Sequence, residues 1–253
     1  MTAPTHHLDE DVLLDYVSGA ASEPVSLVVA CHLTLCGACR AAAAAAEFVG
    51  GVVLEQARPA ALSEGALERA LARLDRDSLA GSPDGERRSA TEEGDDDGPG
   101  PVAAAGEPFV FEGVPLPRPL ARYLAAGPSS SSSSSVAPPG SAPSFRFIAP
   151  GVRGIPLAVA AAPGVRTRLL RLAPGMEIPL HAHAAPEFTL VFSGGLSDGG
   201  QHYVRGDVRF RDAAAVHNQR VDPDLPCVAL VVNEGALVPQ TWRGRLVSLL
   251  FDR

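Results

Sequence analysis

A long stretch without large apolar side chains divides the sequence and limits what it can fold into. Residues 80–107 combine Pro, Gly and a run of acidic residues, which cannot bury a core. We interpret residues 80–112 as an acidic, Gly/Pro-rich flexible linker, and the Ser-rich segment 127–143 as a long loop. The 23 prolines and 25 glycines among 253 residues fit such irregular stretches. The sequence therefore predicts two domains, residues 1–79 and 113–253.

The first domain has the pattern of four short helices. Acidic residues begin the first helix, where they favour its dipole, and Pro24 begins the second. A turn at Gly37 leads to an alanine-rich third helix, which we expect to end at the glycine pair 50–51. The fourth begins at Ser63 and has one apolar stripe. Residues 1–79 are therefore predicted to be all-helical.

The second domain changes to a strand pattern. After residue 144, short apolar runs recur about every 8–12 residues, with Gly, Pro and Asp between them. This spacing is typical of an all-β sandwich or barrel. The predicted fold is therefore a helical domain followed by an all-β domain.

A histidine and two cysteines are spaced for metal binding in the segment CHLTLCGACR. His32, Cys36 and Cys39 lie at i, i+4 and i+7, so they can converge even if the helix turns between them. Tetrahedral zinc needs a fourth ligand, and His6 or His7 lies just before the first helix. The alternatives are three residues that are only structural and a redox dithiol, although the βαβ setting of the latter is missing.

A second group of candidate ligands lies in the β domain. His181 and His183 are two residues apart, so on a strand they share one face, and Glu187 follows after a short irregular segment. His217 falls on what we predict to be a neighbouring strand. Three imidazoles and a carboxylate suit zinc, iron or manganese. The alternative is a metal-free barrel in which the histidines only form hydrogen bonds.

Both groups of residues resemble known families. His181, His183, Glu187 and His217, with Gly175, Gly194 and Gly206, resemble the two cupin motifs, which implies a cupin (jelly-roll) barrel. The HxxxCxxC motif resembles the ChrR-type zinc-binding anti-sigma factors, which carry a cupin-like domain after the helical one. The resemblance implies that His7, rather than His6, is the fourth zinc ligand beside His32, Cys36 and Cys39.

The resemblance also implies a function. Such proteins bind a sigma factor of the extracytoplasmic-function class through the zinc domain and inhibit it, and the cupin domain is required for release by singlet oxygen or peroxide. We therefore expect a regulator that is not an enzyme, with zinc in the helical domain and zinc, iron or manganese in the barrel. The main alternative is a cupin dioxygenase with a zinc-binding appendage.

Charge and hydropathy limit the remaining classes. Acidic residues outnumber basic ones in residues 1–78, so nucleic-acid binding is not expected. Charged or polar residues interrupt every long apolar window, and the first residues lack the basic start and apolar core of a signal peptide. We therefore predict a cytoplasmic protein without a membrane span, with a sigma factor as its partner in a 1:1 complex.

Overall fold

The structure is a computed structural model. It describes residues 3–79, 108–125, 143–161, 163–183, 185–212, 217–233 and 237–239. The predicted linker between residues 80 and 107 and almost all of the Ser-rich loop lie outside the described residues. Contacts divide the chain into two compact units, residues 1–50 with 103–253, and residues 51–102. This division differs from the predicted one, because the first helices belong to the same unit as the β domain.

Four helices occupy the first part of the chain, as predicted. Their bounds are α1 Glu10–Val17, α2 Glu23–Leu35, α3 Gly37–Glu55 and α4 Ala66–Leu79. The prediction that α3 ends at residues 50–51 is wrong, because the helix continues through both glycines to Glu55. Neither glycine has the positive φ of a helix C-cap. A glycine inside a helix costs about 1 kcal/mol relative to alanine, and the alanine run before it offsets this cost.

A hairpin begins before the predicted end of the linker. Strands β1 (Phe109–Phe111) and β2 (Val114–Leu116) pair antiparallel around Glu112 and Gly113. Both turn residues have positive φ, 46° and 81°, as a two-residue type I′ turn requires. A 3₁₀ turn, Arg118–Leu120, and helix α5, Ala121–Ala125, follow.

The remaining strands form two antiparallel sheets. They are β3 Arg146–Ala149, β4 Val152–Pro156, β5 Arg166–Leu172, β6 Glu177–His183, β7 Glu187–Ser193, β8 Gly195–Asp198, β9 Gln201–Val204, β10 Val208–Arg211, β11 His217–Val221, β12 Cys227–Asn233 and β13 Leu237–Pro239. The strand order is β10-β7-β12-β5-β4-β3 in one sheet and β13-β6-β11-β8-β9 in the other. This is the predicted all-β architecture, and we call the two sheets the barrel.

Helix α2 packs directly on the barrel. It contacts β7, β12 and the 3₁₀ turn. Leu27 and Val28 of α2 belong to the same buried cluster as Leu190 of β7 and Leu230 of β12. Polar contacts also form at the start of α2, where the Glu23 carboxylate accepts hydrogen bonds from the side chain of Tyr123 and the backbone amide of Ala160. Helix and barrel therefore share one hydrophobic core.

One described helix meets the length and composition expected of a membrane span. Helix α3 has 19 residues and is apolar enough to cross a bilayer by these criteria alone. Its first half, however, packs into the fold through the buried residues Cys39 and Ala43. The length and composition of α3 are therefore weak evidence for a membrane span.

Candidate metal centre

Four side chains from the beginning of the chain converge on one point. One possible ligand atom from each of His7, His32, Cys36 and Cys39 lies within 4.8 Å of the others. His32, Cys36 and Cys39 are buried, whereas His7 is exposed and forms the solvent side of the group. The structure thus brings together the four positions that the sequence singled out. We call them the His/Cys cluster.

A break between two helices gives the cysteines their positions. Helix α2 ends at Leu35, and Cys36 has an extended backbone (φ −114°, ψ 108°). The Cys36 amide still donates to the His32 carbonyl at 2.8 Å, so the residue remains attached to the last turn of α2. Cys39 lies in the first turn of α3, and its backbone amide donates to Cys36 Sγ at 3.5 Å. The turn falls one residue earlier than the sequence predicted, and the side chains still converge.

His7 reaches the cysteines from the segment before α1. Its Nδ1 atom lies 3.2 Å from Cys36 Sγ and 3.6 Å from Cys39 Sγ. The preceding residue, His6, turns elsewhere, with its Nδ1 3.4 Å from an Asp207 carboxylate oxygen. The structure therefore places His7 in the cluster rather than His6, as the resemblance implied.

His32 has one nitrogen bonded and one without a partner. Its Nδ1 lies 2.8 Å from the carbonyl oxygen of Gly206, and a carbonyl can only accept, so Nδ1 carries the proton. Nε2 is then a lone-pair donor, and it is buried with no hydrogen-bond partner among the described residues. Burial lowers the pKa of His32 to about 4, which keeps the ring neutral. A neutral, oriented imidazole with a free buried nitrogen is suited to bind a metal ion.

The sulfur atoms also need a counter-charge to ionise. Burial, followed by the proximity of Cys36, raises the pKa of Cys39 to about 11. A bound cation would reverse this effect, because metal ligation requires the thiolate. Two sulfur and two imidazole donors form a set typical of tetrahedral zinc sites. The His/Cys cluster therefore fits a metal ion, and its chemistry favours zinc.

The two remaining cysteines belong to the core. Cys31 and Cys227 are each fully buried, and burial raises the pKa of both thiols to about 12. Cys31 lies one residue before His32 on α2 but is not part of the His/Cys cluster. Both are therefore packing residues rather than candidate ligands.

Strand pairing determines where the histidines of the second group of candidate ligands lie. His181 on β6 is the register partner of His217 on β11, and His183 lies two residues further along β6. Directly paired residues and i, i+2 neighbours occupy the same face of a sheet. The three histidine positions therefore share one face of the five-stranded sheet.

Glu187 lies on the other sheet and is held by a buried network. It begins β7, and its carboxylate accepts hydrogen bonds from Arg209 and, at 2.6 Å, from Asn233 Nδ2. Arg209 is 2% exposed and also pairs with Asp198, which is equally buried. Sequence reasoning missed Arg209. The sequence does place this arginine between two apolar residues of a strand, Val208, which lies in the hydrophobic core, and Phe210, which packs against it. An arginine at such a position could have been recognised as a candidate for a buried ion pair.

Known proteins resemble this chain over nearly its whole length. Residues 139–237 match the ChrR cupin-like domain family. The anti-sigma-E factor ChrR of Cereibacter sphaeroides is 30% identical over 246 residues, covering 97% of each protein. A solved structure of Rhodobacter sphaeroides SigE in complex with the anti-sigma ChrR matches with a TM-score of 0.65 and 28% identity, covering 91% of this chain and 99% of that chain. A cupin-like protein from Ralstonia eutropha JMP134 has 20% identity and a TM-score of only 0.35, covering 41% of this chain and 72% of that one.

The fold and the cluster together define a regulatory protein in which a helical His/Cys module is joined to a cupin-like barrel. This class is regulatory and not enzymatic. The chain belongs to the ChrR family of anti-sigma factors. The predicted family and fold class are thereby confirmed.

Proposed function

We propose that this chain binds a sigma factor of the extracytoplasmic-function class in a 1:1 complex and inhibits it. The observation that carries the proposal is the similarity along 97% of the chain to an anti-sigma-E factor. The match to a chain of the SigE–ChrR complex supports it, because it covers the helices as well as the barrel. We place the protein in the cytoplasm, where sigma factors act.

The His/Cys cluster would hold the helical module in its binding form. A zinc ion at this point would be held by His7, His32, Cys36 and Cys39, and would supply charge for the two thiolates. It would also cross-link the segment before α1 to the junction of α2 and α3. Such cross-links stabilise helical modules whose own core is too small.

Exposed apolar side chains favour a protein partner for the helices. Phe48 and Val49 on α3 are 67% and 61% exposed. On α4, Leu67, Leu71 and Leu74 form a stripe on one face, and each is at least half exposed. An amphipathic helix with an exposed apolar stripe is a common binding element for another protein. We propose that this α4 stripe contacts the sigma factor.

The barrel would contribute a second metal site and the response to a signal. We propose His181, His183, Glu187 and His217 as ligands for zinc, iron or manganese. The shared face of the three histidine positions supports their part in this set, and Arg209 and Asn233 would orient the Glu187 carboxylate. The proposed signal is singlet oxygen or peroxide, and it acts only if it changes the relative stability of the free and sigma-bound states.

Co-expression with a candidate sigma factor tests this proposal. The tagged chain should retain the sigma factor through affinity purification and gel filtration, and metal analysis should find two ions per complex. In the Cys36→Ala/Cys39→Ala variant one ion should remain, and adding His181→Ala/His183→Ala should remove it. Failure to retain any extracytoplasmic-function sigma factor from the same genome would contradict the proposal.

A further inference from the structure

The segment that carries His7 is attached to a turn of the barrel. We call residues 4–7 the N-terminal strap and residues 205–207, between β9 and β10, the barrel turn. The backbone amides of Thr5 and His6 donate to Asp207 Oδ1 at 2.7 and 3.0 Å. The carbonyl oxygen of His6 accepts from the Val208 amide at 3.2 Å. His6, the residue before the candidate ligand His7, is therefore held through both its backbone amide and its backbone carbonyl.

The same turn orients a second candidate ligand. The carbonyl oxygen of Gly206 accepts the Nδ1 proton of His32 at 2.8 Å, which leaves Nε2 for the cluster. Gly206 has a φ of +92°, and a Cβ atom here would lie 2.7 Å from Pro4 Cγ in the strap. The position therefore requires glycine for its conformation and for the close approach of the strap.

The barrel turn is itself firmly anchored. The Asp207 side chain is fully buried, and its Oδ2 accepts from the Val204 amide at 2.9 Å. The amide of Gly206 donates to the Val191 carbonyl at 2.8 Å, and the Val191 amide donates to the Asp207 carbonyl at 3.1 Å. Val191 is a buried residue of β7, the strand that begins at Glu187. A continuous path of hydrogen bonds thus joins β7 to His32 and to His6, the residue before His7.

The geometry points to a role for the barrel turn in building the metal centre: Asp207 is a positioning residue for His7, and Gly206 is a positioning residue for His32. The inference rests on the proposed metal centre and extends it, because the ligand set becomes complete only when the barrel is folded in this form. A change in β7 or the turn then alters how firmly the metal is held. The barrel can affect the helical module by this route without a contact to the sigma factor.

The test uses the full chain loaded with cobalt(II) in place of zinc. A thiolate-to-cobalt charge-transfer band reports only a site that contains cysteine, so a metal bound in the barrel by histidine and glutamate does not contribute. Decay of the band after addition of excess EDTA gives the release rate. The variants are Asp207→Asn, which weakens the acceptor, and His6→Ala, which removes a ring that packs on Tyr203 and faces Asp207 without entering the cluster.

A matched control is available at a second histidine–carboxylate pair of the barrel. Asp222 also faces a histidine, with one carboxylate oxygen 2.9 Å from His202 Nε2. Asp222→Asn should leave the release rate unchanged. Asp207→Asn should accelerate release by about 10- to 100-fold, as is common for the loss of an outer-shell partner. His6→Ala should accelerate release by a smaller factor and should keep the band.

The outcomes separate this inference from the proposed metal centre. If Asp207→Asn fails to fold by circular dichroism, His6→Ala decides. If the folded variants release cobalt at the wild-type rate, the inference is overturned and the metal centre stands. The same holds if a variant loses equal thermal stability with and without metal while its release rate is unchanged. A wild-type chain that gives no thiolate-to-cobalt band would overturn the metal centre and the inference together.

Discussion

His32 Nδ1 donates a hydrogen bond to the carbonyl oxygen of Gly206 across 174 positions of the sequence. This bond links α2, which carries His32 and is followed directly by Cys36, to a turn of the barrel. It also fixes the tautomer of His32, so the second nitrogen is the one available to the cluster. The chemistry of the helical module therefore depends on a residue of the other predicted domain.

Cys31 on α2 and Cys36 just after this helix differ in their contacts, and this difference gives the first prediction. Cys36→Ala should abolish the thiolate-to-cobalt band and reduce the metal content by one ion per chain, because a three-ligand site binds far more weakly. Cys31→Ala is the control, since its thiol is equally buried but lies outside the His/Cys cluster. Equal metal content in both variants would exclude Cys36 as a ligand.

The α4 stripe gives a prediction for the partner. Leu71→Glu should weaken binding of the sigma factor by about tenfold or more, because a charge in an apolar contact must be desolvated. Metal content should be unchanged. Leu225→Glu is the matched control, since Leu225 is a similarly exposed leucine of the barrel, 59% against 51%. Titration calorimetry measures both affinities, and equal values would show that the stripe is not part of the interface.

The buried Arg209 network gives a prediction for stability. Arg209→Met leaves two buried carboxylates, Glu187 and Asp198, without their shared cation, so it should lower the free energy of unfolding by about 3–5 kcal/mol. Arg220→Met removes a largely exposed ion pair, in which Arg220 Nε lies 3.8 Å from a Glu177 carboxylate oxygen. This variant should change the free energy of unfolding by less than about 1 kcal/mol. Urea unfolding of both variants measures the difference. Similar small effects would mean that the network contributes little to the barrel.

The Asp207 carboxylate predicts a dependence of stability on pH. Burial alone would raise its pKa, but hydrogen bonds from the amides of Val204, His6 and Thr5 bring the pKa below the ordinary value of 3.8. The folded state therefore favours the ionised form, so the stabilisation is present above about pH 4 and is lost as the pH falls through the folded pKa. Without metal, the stability gap between the wild type and Asp207→Asn should narrow as the pH falls below about 4. A gap of the same size at about pH 3 would contradict this assignment.

The sequence alone predicted most of the elements and the cluster, for identifiable reasons. Histidine and cysteine at helical spacing carry their chemistry in the residue types, so His32, Cys36 and Cys39 could be recognised from the sequence. The role of Gly206 could not be predicted, because its contact with His32 is made by a backbone carbonyl, which every residue possesses. Asp207 was equally hidden, since its partners are backbone amides about 200 positions away. The packing of α2 on the barrel was missed because the low-complexity segments suggested separate units.

Inhibition of transcription tests the central claim most directly. Run-off transcription with core RNA polymerase and the cognate extracytoplasmic-function sigma factor should stop when the zinc-loaded chain is added in equimolar amount. The Cys36→Ala/Cys39→Ala variant, at the same concentration and shown to be folded by circular dichroism, should leave transcription at the level of the reaction without inhibitor. The Cys31→Ala variant should inhibit as the wild type does. Full transcription in the presence of the wild-type chain, or full inhibition by the metal-free double variant, would contradict an anti-sigma factor that acts through its His/Cys cluster.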